Sequence, residues 1–288
     1  MLKGLAITPP VIGRISIGRV VESKGRRLPE KDDQFTLTTQ VQNREGWVLH
    51  PLDEALRKTA GAKLRAIPVH VPFNDPDLNL RAQFTAFDRQ TGRPLCVGDG
   101  ETCRRVTENG MQDLPCPTPE ACAFGGGYCK PYGRLNVVIG DEDEIGTFVF
   151  RTTSFNSIRT LTARLQYYQA ASGNVLASMP LELKLRGKST TQSHRAPIYY
   201  VDLVIRAGLS LEAAVAQARE LDGRRNAAGF DQQALDEAAR RGFAGGAFED
   251  SSEEALAVVE EFYPGEAQQA PSDAEGPTDL KEKLRERM

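Results

Sequence analysis

The sequence predicts an α+β protein with a mainly antiparallel β core, a cysteine-rich insertion and a helical C-terminal appendage. Three observations support this fold class. Runs rich in β-branched and aromatic residues fill the first two thirds of the chain, five cysteines crowd into one short segment, and helical patterns follow residue 208.

The core strands are expected in seven segments that turn residues separate from one another. Leu181, Leu183 and Leu185 fall on one face of a strand, and charged residues alternate with them, which is typical of a half-buried strand. The seven segments are 35–43, 64–73, 79–88, 134–140, 146–153, 181–187 and 198–207.

One helix is predicted among these strands. Ser154 or Asn156 caps its start, and Gly173 suits its end. Arg159 and Arg164 lie on the side away from the core, where they meet either water or phosphate. The predicted core face comprises Ile158, Leu161, Leu165 and Tyr168.

Three further helices are predicted after Gly208, and Ser210 caps the first of them. The residues from 264 onward contain few apolar side chains and are expected to be disordered. We therefore predict a β-rich core domain over 1–207 with the cysteine-rich insertion at 96–130, a helical appendage over 208–263 and a disordered acidic tail over 264–288.

Charge and hydropathy indicate where the protein acts. Residues 249–288 carry twelve acidic and four basic side chains, whereas the first 248 residues carry 27 acidic and 32 basic ones. A mildly basic body is compatible with a nucleic-acid surface. The sequence has no apolar run of the length that a signal peptide or a membrane span requires. We expect a cytoplasmic protein that has no membrane partner.

The five cysteines all lie within a segment of 34 residues in a chain of 288. Cytoplasmic thiols stay reduced, so a crowded set favours metal binding over disulfides. Thiolates at short spacing, held by proline and glycine turns, are typical of a structural Zn²⁺ site. The expected zinc ligands are Cys103, Cys116, Cys122 and Cys129, with Cys96 as the alternative for one of them.

Proline and glycine around these cysteines suit such a site. Pro115 and Pro117 stiffen the chain beside Cys116, and the glycines at 125–127 let Cys129 fold back towards Cys122. We therefore expect a zinc-stapled loop inserted between two strands. Five thiols without a metal are the alternative interpretation.

A basic stretch near residue 190 is the candidate nucleic-acid site. Arg186, Lys188, His194 and Arg195 lie among hydroxyl and amide side chains and precede two tyrosines. Such groups hold phosphates and stack on bases. The same residues are also compatible with a solvated hairpin loop.

Enzyme signatures are weak. The sequence contains none of the GxSxG, Walker A, HExxH or GxGxxG motifs. The GDEDE segment at 140–144 packs carboxylates that suit Mg²⁺, but it also fits a solvated turn. A non-enzyme is expected, and a metal-dependent hydrolase is the weaker alternative.

Four segments together resemble a known family. They are IGRISIGR at 12–19, LPEKDDQFTLTT at 28–39, GDGETCRR at 98–105 and CKPYGRLNVVIGDEDEIGTFVFRTTSFNSIRTL at 129–161. Their order and placement are similar to those in the recombination directionality factor-like proteins of phages and integrative mobile elements. The similarity covers about residues 10–207, and the helical and acidic region after residue 208 is an addition to the pattern.

The resemblance implies a non-catalytic accessory protein. The best-understood members bind a large serine integrase on DNA and switch it from integration to excision, acting through the integrase rather than by reading a DNA sequence. The resemblance also implies that the cysteines form a zinc-binding module. A protein that binds single-stranded or duplex DNA directly, in phage-type recombination or replication, is the alternative.

Overall fold

The structure is a computed structural model that describes residues 10–23, 26–44, 46–60, 63–125, 128–141, 146–189, 191, 197–244 and 252–262. Contacts group the chain into two compact units. The first unit contains 1–19, 30–81 and 133–249, and the second contains 20–29, 82–132 and 250–288. The predicted domain boundaries after residues 207 and 263 stay predictions.

Twelve strands and seven α-helices fall within the described residues. The strands are β1 (Val11–Ser23), β2 (Arg26–Asn43), β3 (Gly46–Leu49), β4 (Ala66–His70), β5 (Leu80–Phe87), β6 (Pro94–Gly98), β7 (Thr102–Thr107), β8 (Gly110–Pro115), β9 (Lys130–Ile139), β10 (Thr147–Thr152), β11 (Leu181–Lys188) and β12 (Ile198–Ile205). The helices are α1 (Pro51–Ala60), α2 (Pro76–Asn79), α3 (Thr118–Ala121), α4 (Phe155–Ser172), α5 (Leu211–Ala227), α6 (Gln232–Ala244) and α7 (Ser252–Phe262).

The first unit is built on a large, mostly antiparallel sheet, which confirms the predicted β core. Its strands follow the order β3-β2-β1-β10-β9, and β9 continues through β4 and β11 to β12. The pair β1 and β10 is parallel. All seven predicted strand segments are present in the chain, whereas the strands β1, β3, β6, β7 and β8 and the helices α1, α2 and α3 were not predicted.

Strand β11 shows the predicted alternation. Leu181 and Leu183 are fully buried and Leu185 nearly so, and the charged residues between them face the other side. Glu182 departs from the half-buried pattern because it is only 7% exposed, although its side chain is charged. It is paired with Lys184, whose Nζ lies 3.7 Å from Glu182 Oε1.

Helix α4 has the predicted caps and core face. The Oγ of Ser154 accepts a hydrogen bond from Ser157 N, and Gly173 ends the helix in the left-handed conformation. The helix also bonds to β12, since Val201 N donates to Ser157 Oγ and Tyr168 Oη donates to Leu203 O. The buried face comprises Ile158, Leu161, Leu165 and Tyr168.

The predicted helices after Gly208 are also present as α5, α6 and α7. The first two belong to the first unit. Ala239 of α6 packs in a buried cluster with Phe73 and Leu78, and Asp236 Oδ2 accepts a hydrogen bond from Asn74 N at 3.1 Å. Apolar packing and a buried hydrogen bond therefore hold α6 to the turn at 73–78.

The second unit contains the strands β5 to β8 in sequential order, and each pairs antiparallel with the next. The prediction of an inserted loop over 96–130 is therefore wrong for its first half, because cross-strand pairing organises residues 94–115 into three strands. Helix α7 also belongs to this unit, where Val258, Val259 and Phe262 pack with Phe87 and Tyr132.

The predicted disordered tail at 264–288 lies outside the described residues. Among the helices that the structure describes, none has both the length and the apolar character needed to cross a membrane.

Candidate functional site

The cysteines gather on one face of the sheet in the second unit. Gly98 pairs with Cys103 across β6 and β7, and Cys96 lies two residues before Gly98 on the same face. Cys96 also pairs with Ala86 of β5. Cross-strand register, which sequence spacing does not reveal, therefore places Cys96 next to Cys103.

Cys116 joins this pair because residue 98 is a glycine. A Cβ at position 98 would lie 2.8 Å from Cys116 Sγ and 2.7 Å from Cys103 Cβ, so only hydrogen fits there. The backbone of Cys116 is also fixed, since its N–H donates to Glu101 O at 2.8 Å. Cys96, Cys103 and Cys116 form a buried cluster with Ala86.

A tight turn brings in the last two cysteines. The N–H of Cys129 donates to Gly125 O at 3.0 Å, and a Cβ on Gly125 would lie 2.9 Å from Cys129 Cβ and 3.5 Å from Cys122 Cβ. A glycine at 125 thus lets Cys122 and Cys129 approach each other, as the sequence predicted. The glycines at 126 and 127 lie outside the described residues.

Arg105 lies among the thiols. Its Nη2 is 3.6 Å from Cys122 Sγ and 3.8 Å from Cys103 Sγ, and its guanidinium lies 4.3 Å from the centre of the Phe124 ring. Burial opposes the charge of Arg105, but hydrogen bonding to Cys96 and the nearby thiols outweigh burial and raise the pKa of Arg105. A charged guanidinium is therefore built into the cluster.

Burial makes Cys103 and Cys129 weaker acids than free thiols. Burial raises the pKa of Cys103 to about 11, and a hydrogen bond that the Cys103 thiol donates to Cys96 adds to the effect. Burial also raises the pKa of Cys129 to about 12, with repulsion from the other four cysteines acting in the same direction. Without a cation shared among them, these two thiols stay protonated and unreactive at neutral pH.

The structure thus collects all five cysteines, both the four expected ligands and the alternative. Within the described residues, no group of three or more His, Cys, Asp or Glu side chains has its donor atoms arranged for a metal ion. Zinc, and the choice of four ligands among the five cysteines, stay predictions.

The candidate nucleic-acid residues lie on the first unit. Arg186 Nε donates to Asp202 Oδ2 at 3.2 Å, and Lys188 Nζ donates to Asn156 Oδ1 at 2.7 Å. Arg164 of α4 joins them, because its Nε donates to the other oxygen of Asp202 at 3.1 Å. The two remaining candidates, His194 and Arg195, lie outside the described residues.

The acidic segment at 140–144 is described only as far as Asp141. Arg206 Nη1 binds both carboxylate oxygens of Asp141, at 2.7 and 2.6 Å, and His70 Nε2 lies 3.0 Å from Oδ1. This pairing with Arg206 lowers the pKa of Asp141. Asp141 is therefore already bound to a cation from the chain itself.

The fold defines a mixed α/β protein with a large, mostly antiparallel sheet, and the site adds a cluster of five cysteines. A family model, Gp3-like and described as recombination directionality factor-like, matches residues 12–206. The chain belongs to this family, as the sequence segments predicted, and the membership indicates a role related to phage recombination. Comparison with curated proteins and with solved structures gave no significant match.

Three residues of these sites were not predicted from the sequence. The local sequence gives no indication that Gly98 or Arg105 has a role at the cysteines. Asp202 lies within an apolar run. The one usable signal was Asp202, because a lone carboxylate in the segment IYYVDLVI needs a partner if the strand is buried.

Gly98→Ala tests whether the glycine makes room for the thiols. Because the added Cβ overlaps Cys103 and Cys116, we expect a loss of about 1–3 kcal/mol in the free energy of unfolding, measured by urea denaturation. Gly223→Ala is the matched control, since nothing lies within 4 Å of the new Cβ within helix α5. That variant should be neutral or slightly more stable. Equal effects of the two substitutions would contradict the close contact at Gly98.

His70→Gln tests the burial of the imidazole. Burial lowers the pKa of His70 below its ordinary value of 6.5, although Asp141 opposes the shift. The unfolded chain therefore takes up a proton near pH 6.5 while folded His70 stays neutral, and the protein loses stability as the pH falls below that value. The variant should lose less stability over the same range in urea titrations. The same loss in both proteins would show that His70 does not contribute.

Proposed function

We propose that this protein is a non-catalytic recombination accessory protein of a phage or integrative element. It acts in the cytoplasm by binding a site-specific recombinase, or the complex of the recombinase with DNA, and controls the balance between integration and excision. The observation that carries the proposal is the family match over residues 12–206, which extends from β1 to β12 and includes strands of both units.

We propose that the recombinase binds at the edge strand β3. It stands at the end of the strand order and pairs with β2. Leu49 of β3 is 58% exposed and Val41 of β2 is 62% exposed. Apolar side chains on an edge strand are a liability in a protein without a partner, and they are typical of a contact surface.

The proposal is tested with the cognate recombinase and DNA carrying its attachment sites. Adding the purified protein should shift the products from integration towards excision, as measured by the ratio of recombined to parental DNA. The double variant Val41→Lys with Leu49→Lys should need about tenfold more protein for the same shift, because charge opposes an apolar contact. Unchanged products with the wild-type protein would refute the accessory role.

Met111→Lys is the matched control for that surface. Met111 is 60% exposed but lies on β8 of the second unit, so its substitution alters exposed apolar area elsewhere. If Met111→Lys impairs the shift as much as the double variant does, β3 is not the contact surface, although the accessory role still holds.

We further propose that the cysteine cluster holds a structural Zn²⁺. Thiolates are the preferred ligands of structural zinc, and a full thiolate shell leaves no open position for catalysis. The support for such an ion is that five cysteines converge around Gly98 and Gly125, and that the positive charge of Arg105 beside Cys103 and Cys122 would stabilise thiolates. Bound zinc would stabilise the thiolates and join β6 and β7 to the segment at 116–129.

The ligands are identified by five single Cys→Ser variants prepared without chelators. We expect about one zinc per chain in the wild-type protein by elemental mass spectrometry. Four variants should lose zinc and several kcal/mol of stability, since structural zinc contributes on the order of 10 kcal/mol in peptides. The fifth variant, which identifies the cysteine that is not a ligand, should keep its zinc. A metal-free wild-type protein would rule out the zinc site.

A further inference from the structure

One buried carboxylate on the first unit holds two arginines. Asp202 of β12 is 4% exposed, and its oxygens accept separate hydrogen bonds from the Nε atoms of Arg164 and Arg186. Arg164 comes from helix α4 and Arg186 from strand β11, so the tertiary fold brings the three side chains together. Arg164, Asp202 and Arg186 are called the arginine fork below.

The fork has more positive charge than the carboxylate neutralises. A single arginine, bonded through two nitrogens, is enough to satisfy one carboxylate. Here each guanidinium donates to Asp202 through Nε alone, and among the described residues the terminal amino groups of the two arginines have no hydrogen-bond acceptor. About half of each arginine side chain is exposed, at 47% for Arg164 and 46% for Arg186. The fork therefore presents fixed N–H donors to solvent.

A row of cations extends the fork along β11. Lys184, Arg186 and Lys188 are two residues apart along β11 and so lie on the face opposite the buried leucines, about 7 Å from one to the next. Lys188 is held by Asn156, and its Nζ lies 5.9 Å from the centre of the Tyr200 ring. A straight row of positioned cations is complementary to the regular row of anions in a nucleic-acid backbone.

The carboxylates on this face do not cancel the charge. Glu182 and Asp202 are both buried, and each is paired with a basic side chain of this face, whereas the exposed Asp141 is bound by Arg206. Four basic side chains stand above them, from Arg164, Lys184, Arg186 and Lys188. An approaching anion thus meets the cations first.

We propose that the arginine fork and the row Lys184, Arg186 and Lys188 form a binding site for the phosphodiester backbone of DNA. Asp202 is a positioning residue, because it acts by fixing the two guanidiniums rather than by touching the ligand. The site recognises phosphate and carries no base specificity. Its binding to DNA does not require the recombinase contact proposed above.

The test measures the binding of the full chain to a labelled duplex and to a single strand of the same sequence, by fluorescence anisotropy across a salt series. Affinity should fall steeply with salt. The double variant Arg164→Gln with Arg186→Gln should weaken binding on the order of tenfold. Its plot of log affinity against log salt should also be less steep, with the magnitude of the slope reduced by about two. Comparison of the two probes shows which form of DNA provides the backbone.

Arg159→Gln is the matched control, since Arg159 is an exposed arginine of the same helix that lies outside the fork. It should bind as the wild-type protein does. Absence of binding at low salt, or an equal loss in the Arg159 variant and the double variant, would overturn the proposal and leave the fork as a solvated ion pair.

Asp202→Asn separates positioning from net charge. The substitution removes a negative charge, so a site that works by charge alone would bind DNA more tightly. If the fork positions its arginines, binding should weaken, because an amide accepts from its single oxygen and can no longer anchor both guanidiniums. The thermal unfolding of each variant is followed in parallel, and an Asp202→Asn variant that is folded yet binds more tightly refutes the positioning role.

Discussion

The packing of helix α4 along strand β12 is the contact on which the first unit depends. Ser157 and Tyr168 form hydrogen bonds with the backbone of β12, while the apolar face of the helix is buried. An edge strand left open would expose a row of backbone donors and acceptors. The same contact carries Arg164 to within hydrogen-bonding distance of Asp202, so the arginine fork is a consequence of how the sheet edge is closed.

The second unit has a buried cluster of small side chains. Its strands β5 to β8 place cysteines and a small alanine where a larger domain would place leucine or phenylalanine. Thiols pack as small apolar groups, but five of them fill little volume, and their burial removes little apolar surface from water. This is the physical reason why a metal would matter here, since small domains with little core are commonly stabilised by metal ions or disulfides.

The two candidate sites suit the family in different ways. An accessory protein that acts through a recombinase needs a surface for the protein and gains from weak contacts to the DNA that the recombinase already holds. The proposed phosphate contacts, which carry no base specificity, would supply such gains if a recombinase provides the sequence selection. A cysteine-rich unit held by the proposed zinc would contribute in another way, by fixing exposed side chains in place before binding.

Local pattern in the sequence determined the alternating strand β11, the caps and buried face of α4, the three C-terminal helices and the family. These features depend on neighbours within a few residues, so the chain carries them in readable form. Tertiary structure decided the rest. Cross-strand register places Cys96 beside Cys103 and leaves room only for a glycine at position 98. The packing of α4 on β12 pairs Arg164 with a carboxylate 38 residues away. Such contacts depend on strand order and helix placement, which no local pattern encodes.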